Sequence, residues 1–401
     1  MHIDLLNPAS FSGGQPHDQF AWLRDNAPVY WHEEPDGPGF WAITRHADVH
    51  RIGREPETFS SEPTIMIADP TDGGIQIDEQ HKMMLMMDPP GHTAYRKLIS
   101  REFIQGPARK YSPRIAELAT AIVDNVIERG ECDFVKDVAG EMPSFVIAEM
   151  MGLPLDDGRK LYALTETIHS APETLPSGAI GNAVAKMFEY GQGVMAEKRA
   201  RPGNDLASKL LAAEVDGKKL DDFDFLLFFL LLIDAGGDTT RNLVAGGMLA
   251  MMENPDQLSA LRSDLDAGME KARDELLRYT SPVVYMRRTA AVDTEIRGQR
   301  IAAGDKVVMY YGAANRDRDV FDHADELNLH RTPNKHIAFG GGQHVCLGQW
   351  FARIEIDALL TEVLSRMHDL ELAGEPEWLP SNFISGPRSM PVKFTPGPRI
   401  N

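Results

Sequence analysis

Apolar and polar positions along this chain fall into three regimes. Over roughly the first 80 residues, turn signals alternate with short strand-like runs, of which Phe40-Trp41-Ala42-Ile43-Thr44 is the clearest. Residues 62–91 are rich in Pro, Gly and Met and read as a long irregular loop. From about residue 92 to 280 the spacing of apolar residues is helical. Strand-like pieces return at residues 283–289, 295–300 and 306–311, and residues 315–342 read as loop. A helix is expected at about 347–367, followed by a strand-like tail. The sum predicts a mainly α protein with small β-sheets. Regular βα alternation is missing, so neither a doubly wound sheet nor an α/β barrel is expected.

One predicted helix, residues 222–253, is unlike the rest. Asp221 or Asp222 can cap its start, and Asn254-Pro255 ends it. From Phe223 to Ile233 it is apolar on every side except Asp224, which places it in the centre of a large protein. Into this setting the chain puts Asp234-Ala235-Gly236-Gly237-Asp238-Thr239-Thr240. Each glycine costs about 1 kcal/mol relative to Ala inside a helix. Buried acids cost more unless they are partnered or solvated. Such a conflict of local rules marks either a close-packing point between helices or a functional site.

Composition narrows the classes. A chain of 401 residues, 43% hydrophobic, buries a large core without disulfide or metal staples. A net charge of −19 argues against nucleic acid or an anionic membrane as the main partner. The longest apolar run, residues 225–233, is nine residues, well short of the ~20 needed for a membrane span. The start, Met1-His2-Ile3-Asp4, shows no basic stretch followed by an apolar run, so no signal peptide is expected. The two cysteines, Cys132 and Cys346, cannot build a disulfide framework or a four-cysteine zinc site, which points to a reducing, cytoplasmic setting. Cys132 reads as a small buried hydrophobe.

Cys346 reads differently. It lies in Phe339-Gly340-Gly341-Gly342-Gln343-His344-Val345-Cys346-Leu347-Gly348, just before a helical pattern. Glycines permit positive φ and let backbone N–H groups converge on one centre. A helix start adds partial positive charge, which favours thiolate over thiol. A thiolate so held is either a metal ligand or a nucleophile; for the second role His344, two residues away, is the nearest base.

This decapeptide matches the Phe-x-x-Gly-x-x-x-Cys-x-Gly pattern of the cytochrome P450 family through Phe339, Gly342, Cys346 and Gly348. Ala235-Gly236-Gly237-Asp238-Thr239 is similar to the family's oxygen-activating motif, and Glu275-Leu276-Leu277-Arg278 to its Glu-x-x-Arg. The resemblance spans essentially the whole chain and implies the cytochrome P450 fold, a long central helix over a buried haem. It implies one haem domain, residues 1–401, with a β-rich part at about 1–80, a helical part at about 92–280 and a haem-ligand loop at 339–348.

By resemblance, Cys346 is the axial thiolate of haem b and the only metal ligand, with Phe339 on the same haem face and Gly348 in the loop that holds it. His92, Arg96, Arg288 and His344 match positions that bind the haem propionates. Ala235, being small, leaves room over the haem, as do Gly236 and Gly237, which also loosen the helix so that water can insert. The catalytic pair is Asp238, which feeds in protons through water, and Thr239, which hydrogen-bonds dioxygen. Glu275, Arg278 and Arg331 form a structural network under the cysteine loop. The substrate pocket maps to Met83, Met84, Leu85 and Met86; to Leu231, Asp234 and Ala235; to Val283, Val284 and Met286; and to Phe383 and Ile384. Asp234 either meets a polar substrate group, turns away, or sits protonated.

The resemblance implies a monooxygenase that inserts one atom of O2 into a C–H bond of an apolar small molecule of terpenoid, steroid or fatty-acyl type. Electrons would come from NAD(P)H through a reductase and an iron–sulfur ferredoxin. Arg101, Arg109, Lys110, Lys335, His344 and Arg353 are candidate docking charges for that ferredoxin. The alternatives are a peroxide-using, desaturating or rearranging relative, and a haem-binding sensor without catalysis; neither peroxide use nor sensing needs the Asp238-Thr239 pair.

Overall fold

The structure, a computed structural model, describes residues 1–69, 81–170 and 174–400. It is mainly helical with small sheets, as expected. The central helix, Asp222–Glu253, is capped by Asp221, whose carboxylate accepts hydrogen bonds from the N–H groups of Phe223 (2.9 Å) and Asp224 (2.8 Å). Residues Phe225 to Ile233 are buried all round the helix. Glu141–Met151, Leu155–His169, Ala179–Ala200 and Leu265–Thr280 are among the helices that pack directly on it. The largest apolar core fills the space between them.

A five-stranded sheet stands to one side, in the order Val29–His32, Phe40–Ile43, Lys306–Tyr310, Tyr285–Ala290, Phe59–Ser60. Lys306–Tyr310 runs parallel to Phe40–Ile43 and antiparallel to Tyr285–Ala290, with Val308 opposite both Ala42 and Arg287. Its residues alternate strictly: Val307 and Met309 enter one apolar core, Val308 and Tyr310 the other. Through Tyr285–Ala290 the sheet carries Met286 and Arg288 to the wall of the main cavity.

Two expectations shift. Residues 295–300 are not one strand but a hairpin, Thr294–Ile296 against Gln299–Ile301. Its turn residues Arg297 (φ 48°) and Gly298 (φ 80°) both take the left-handed backbone that a tight two-residue turn demands. Of the loop expected at 62–91, residues 70–80 lie outside the described residues. The rest holds one short 3-10 turn, Met84–Met86, and then the start of the helix Gly91–Phe103. Residues 315–341 carry no helix or strand, and the helix Gln349–Arg366 follows the cysteine loop. Among the described residues no helix is long and apolar enough to cross a membrane.

Candidate active site

A cavity of about 730 Å3 lies between the cysteine loop and the central helix. On the loop side, Cys346 donates its backbone N–H to the Phe339 carbonyl (2.8 Å), closing the turn. Gly340 (φ +69°) and Gly342 (φ +65°) supply the left-handed conformations that turn needs. Gly342 has a second reason to be glycine, since a Cβ there would fall 2.0 Å from the Gly53 carbonyl oxygen. Beyond the turn, the N–H groups of Gly348 and Gln349, unpaired at the start of the helix Gln349–Arg366, are aimed at the Cys346 sulfur. Burial pushes the Cys346 thiol up, while those N–H groups and the charges of Arg96 and Arg353 pull it down. Burial is the strongest of these effects, and a metal cation on the sulfur would reverse the balance. Cys132 has no such surroundings; burial pushes it up to about 12.

Four cations or imidazoles meet at one end of the cavity. The His92 and His344 rings lie in contact, tilted by 31° with centroids 3.9 Å apart, and Arg96 and Arg288 flank them. Arg96 donates to the Val345 carbonyl (2.6 Å), Arg288 to the Arg287 carbonyl (2.9 Å), and His344 meets Ser61 Oγ (3.0 Å). None of the four has an ion-pair partner among the described residues, and His92 Nδ1 has no hydrogen-bond partner. The nearby Asp88 is taken up by Ser60 and by the Ser61 N–H. Burial, then Arg96 and Arg288, pulls His92 down to about 4; burial, Arg288, His92 and Arg96 pull His344 down to about 2. A buried cationic cluster without a carboxylate is costly and calls for an anion, and Arg–carboxylate geometry suits it. Open space faces the cavity at Gly341 and Gly348, where a Cβ would meet nothing within 4 Å. A thiolate cushioned by N–H groups, an open glycine cradle and an unneutralised cationic end together fit a planar dianionic metal complex such as haem. Among the described residues no cluster of three or more His, Cys, Asp or Glu side chains could hold a metal without one.

Under the loop, Glu275 and Arg278 pair on one helix (2.7 and 2.8 Å), and Arg331 reaches the same carboxylate (2.9 Å). Glu275 also accepts from the Asn328 N–H (2.8 Å) and Asn334 (3.1 Å). Arg278 spends its remaining donors on the carbonyls of Asn315, Ala324 and Glu326. The predicted trio is therefore one buried network that ties the helix Leu265–Thr280 to the long loop before Cys346.

On the opposite wall, Ala235, Gly236 and Thr239 face the cavity. The helix is unbroken there, and Thr239 Oγ1 donates to the Ala235 carbonyl (3.2 Å). Gly237 faces away, where a Cβ would sit 3.3 Å from the Tyr162 ring, so it is a packing glycine, not room over a ligand. Asp238 also departs from expectation. It is fully buried, is not on the cavity wall, and meets His169 Nδ1 and Arg241 (3.3 Å). His169 in turn reaches Asp234 (3.2 Å), so the Asp234 carboxylate turns back toward the helix Leu155–His169. Sequence reading missed His169: it sits 69 residues from Asp238 at the end of an ordinary helix, with no motif around it.

The remaining pocket residues converge from four separate segments. Met83, Met84, Leu85, Met86, Leu231 and Met286 all line the cavity. Val283 bridges Ile384, and both face it beside Phe383. Val284 does not: its N–H donates to the Phe383 carbonyl (2.9 Å) and its side chain is buried in the core beside the sheet, because successive residues of an extended chain point to opposite faces. Among the docking charges, Arg101, Arg109, Lys110 and Lys335 are exposed. His344 is turned into the cavity, and Arg353 lies half-buried over the Phe339 ring at 4.5 Å, so neither is a free surface charge.

The family model for cytochrome P450 matches residues 179–383. A steroid C26-monooxygenase of Mycolicibacterium smegmatis is 36% identical over 98% of this chain and 96% of its own length. The linalool 8-monooxygenase of Pseudomonas putida is 34% identical over 98% and 99%. A Mycobacterium marinum cytochrome P450 solved in complex with pseudoionone superposes with a TM-score of 0.92, at 37% identity over 98% of this chain and 99% of that one. Identity at this level across the full length, over a cavity that offers a cushioned thiol at one wall and an anion site at its end, means that the chain belongs to the cytochrome P450 family, monooxygenases whose cofactor is haem b.

Proposed function

We propose that this protein hydroxylates an unactivated C–H bond of an apolar small molecule of terpenoid, steroid or branched fatty-acyl type. Residues 1–401 would act as one haem domain in the cytoplasm, with electrons from NAD(P)H through a ferredoxin reductase and an iron–sulfur ferredoxin. The observation that carries the substrate class is the cavity itself: beyond the cationic end, its walls are mostly methionine, leucine, isoleucine, valine and phenylalanine side chains, with His169, Asp234, Ser381 and Asn382 among the few polar ones. Apolar walls with few polar groups select apolar ligands, and unbranched thioethers adapt to irregular shapes. Relatives named for linalool and steroid oxidation support the same class.

In this reading Cys346 ligates the haem iron, and a thiolate-ligated haem supplies O2 activation. His92, Arg96, Arg288 and His344 neutralise the propionates. Thr239 would present its hydroxyl to dioxygen, Asp238 would feed protons there through water, and Glu275, Arg278 and Arg331 keep the loop rigid. The exposed Arg101, Arg109, Lys110 and Lys335 offer the ferredoxin a local positive face on an acidic protein.

The test has two parts. Reduced protein under carbon monoxide should absorb at ~450 nm, and Cys346→Ser should abolish that band. A panel of terpenes, steroids and branched fatty acids, scored by the ferric spin-state shift, should then yield at least one ligand that takes up 18O from labelled O2. A protein with the band that oxidises no panel member with NAD(P)H and redox partners, but does so with hydrogen peroxide, would overturn the monooxygenase reading.

A further inference from the structure

The acid of the catalytic motif has no surface on the cavity it is meant to serve. Asp238 is fully buried, while the next residue, Thr239, faces the cavity. His169, the last residue of the helix Leu155–His169, does line the cavity, beside the Phe383 ring at 6.0 Å. Its Nδ1 hydrogen-bonds Asp238 Oδ2, and its Nε2 lies 3.2 Å from Asp234 Oδ2. One imidazole thus spans two carboxylates that sit one helical turn apart on the central helix.

This arrangement favours one protonation state. A neutral imidazole has one N–H and one lone pair. It can donate to one carboxylate only, and would then face the other with a lone pair. Both contacts are hydrogen bonds only when both ring nitrogens carry hydrogen. Charge points the same way. Asp234, Asp238 and Arg241, whose Nη2 is 3.3 Å from Asp238 Oδ1, leave one excess negative charge, which an imidazolium cancels. Glu166, one turn earlier on the helix of His169, also acts on Asp238; burial and then the Asp238 charge push its carboxyl up. On His169 itself burial works against the charge, but the two aspartates outweigh it and hold it well above the ordinary histidine value.

We propose that His169 is a positioning residue for oxygen activation: as an imidazolium reaching in from the neighbouring helix, it clamps Asp234 and Asp238 and keeps the Asp238 carboxylate oriented beside Thr239, where protons are passed on. The proposal rests on the monooxygenase reading.

The experiment uses the holoenzyme. In the diamagnetic ferrous carbonyl form with 15N-labelled histidine, one imidazole should remain doubly protonated well above pH ~6.5, where an ordinary histidine titrates. Asp234→Asn should lower the proton affinity of that one imidazole by about tenfold or more, since a neighbouring opposite charge is worth 1–3 pKa units. In His169→Gln, product formed per NAD(P)H oxidised should fall by about tenfold to 100-fold, with hydrogen peroxide released instead, because misplacing a proton donor by about 1 Å costs that much. The substrate dissociation constant, read from the ferric spin state, should stay within about twofold. A purely structural histidine would leave the coupling ratio and its solvent deuterium effect unmoved. Wild-type coupling in a folded His169→Gln enzyme, or no imidazole that stays protonated and responds to Asp234→Asn, overturns the proposal. Absence of the ~450 nm band in the wild type would instead sink the monooxygenase reading.

Discussion

Around His92 and His344 the cavity wall holds two imidazoles and two guanidiniums with no carboxylate of the described residues bonded to them; around His169 a single imidazole lies between two carboxylates. Burial acts on all three histidines in the same direction, yet the first two are driven down and the third up. The difference is the sign of the neighbours. The first cluster is a built demand for an outside anion, which a haem's propionates would satisfy. The second is neutralised within the chain, so it can be kept dry and fixed without any ligand. In this reading a binding site and a positioning device are made from the same residue type.

Four experiments would break or sharpen that contrast. The largest effect is expected where the neutralised cluster is opened. Asp238→Ala leaves His169 and Arg241 without their shared partner and should cost about 3–5 kcal/mol in denaturant unfolding. Asp234→Asn, whose side chain is 25% exposed, should cost about 1 kcal/mol or less. Equal costs would mean that the two aspartates share one environment.

Next, Arg288→Leu should have opposite signs in the two forms of the protein. With haem bound it removes a charge-assisted contact worth about 1.5–3 kcal/mol, lowering haem affinity roughly 10–100-fold. In the haem-free protein it removes an uncompensated buried cation and should raise stability by about 1 kcal/mol or more. Destabilisation of both forms would contradict the reading of this cluster as an unfilled anion site.

A pH titration follows. His169 has a folded pKa above its unfolded value, so its stabilising contribution is complete below pH ~6.5 and declines as pH rises toward the folded value. The melting-temperature gap between wild type and His169→Gln should therefore narrow from pH 6 to pH 9. A gap that widens would assign the stabilisation to a neutral imidazole. The smallest effect belongs to Gly236→Ala. Its Cβ would meet Ile147 at 3.5 Å, an ordinary contact, so the melting temperature should hold or rise for a gain of up to about 1 kcal/mol. The same change at Gly342, against the Gly53 carbonyl at 2.0 Å, should prevent haem retention.

Legibility in the sequence followed locality. The central helix was readable because its cap, its apolar half and its terminator are contiguous, and the observed span Asp222–Glu253 matches the expected 222–253. The Glu275–Arg278 pair was readable because residues three apart share a helix face, and Arg331 was found only through family resemblance. Residues 295–300 misled because a hairpin of three-residue strands has the same β-rich composition as one longer strand. Val284 misled because the pocket segment was read as a run, whereas extended backbone sends alternate side chains to opposite sides. His169 left no signal at all, since a histidine at a helix end is ordinary until another helix lays two carboxylates against it.

By itself, then, the chain determined what depends on near neighbours: helix limits, the glycine-borne turn that aims N–H groups at Cys346, and the motifs that carry the family. Tertiary structure alone decided which charges are answered. Among the described residues Arg96 and Arg288 are left without carboxylate partners, and Asp238 is withdrawn from the cavity behind His169, through packing between segments far apart in the chain. The physical reason is that desolvation and Coulomb attraction act through space and over a few ångströms. Their outcome is set by who is packed beside whom, which no local pattern of residues encodes.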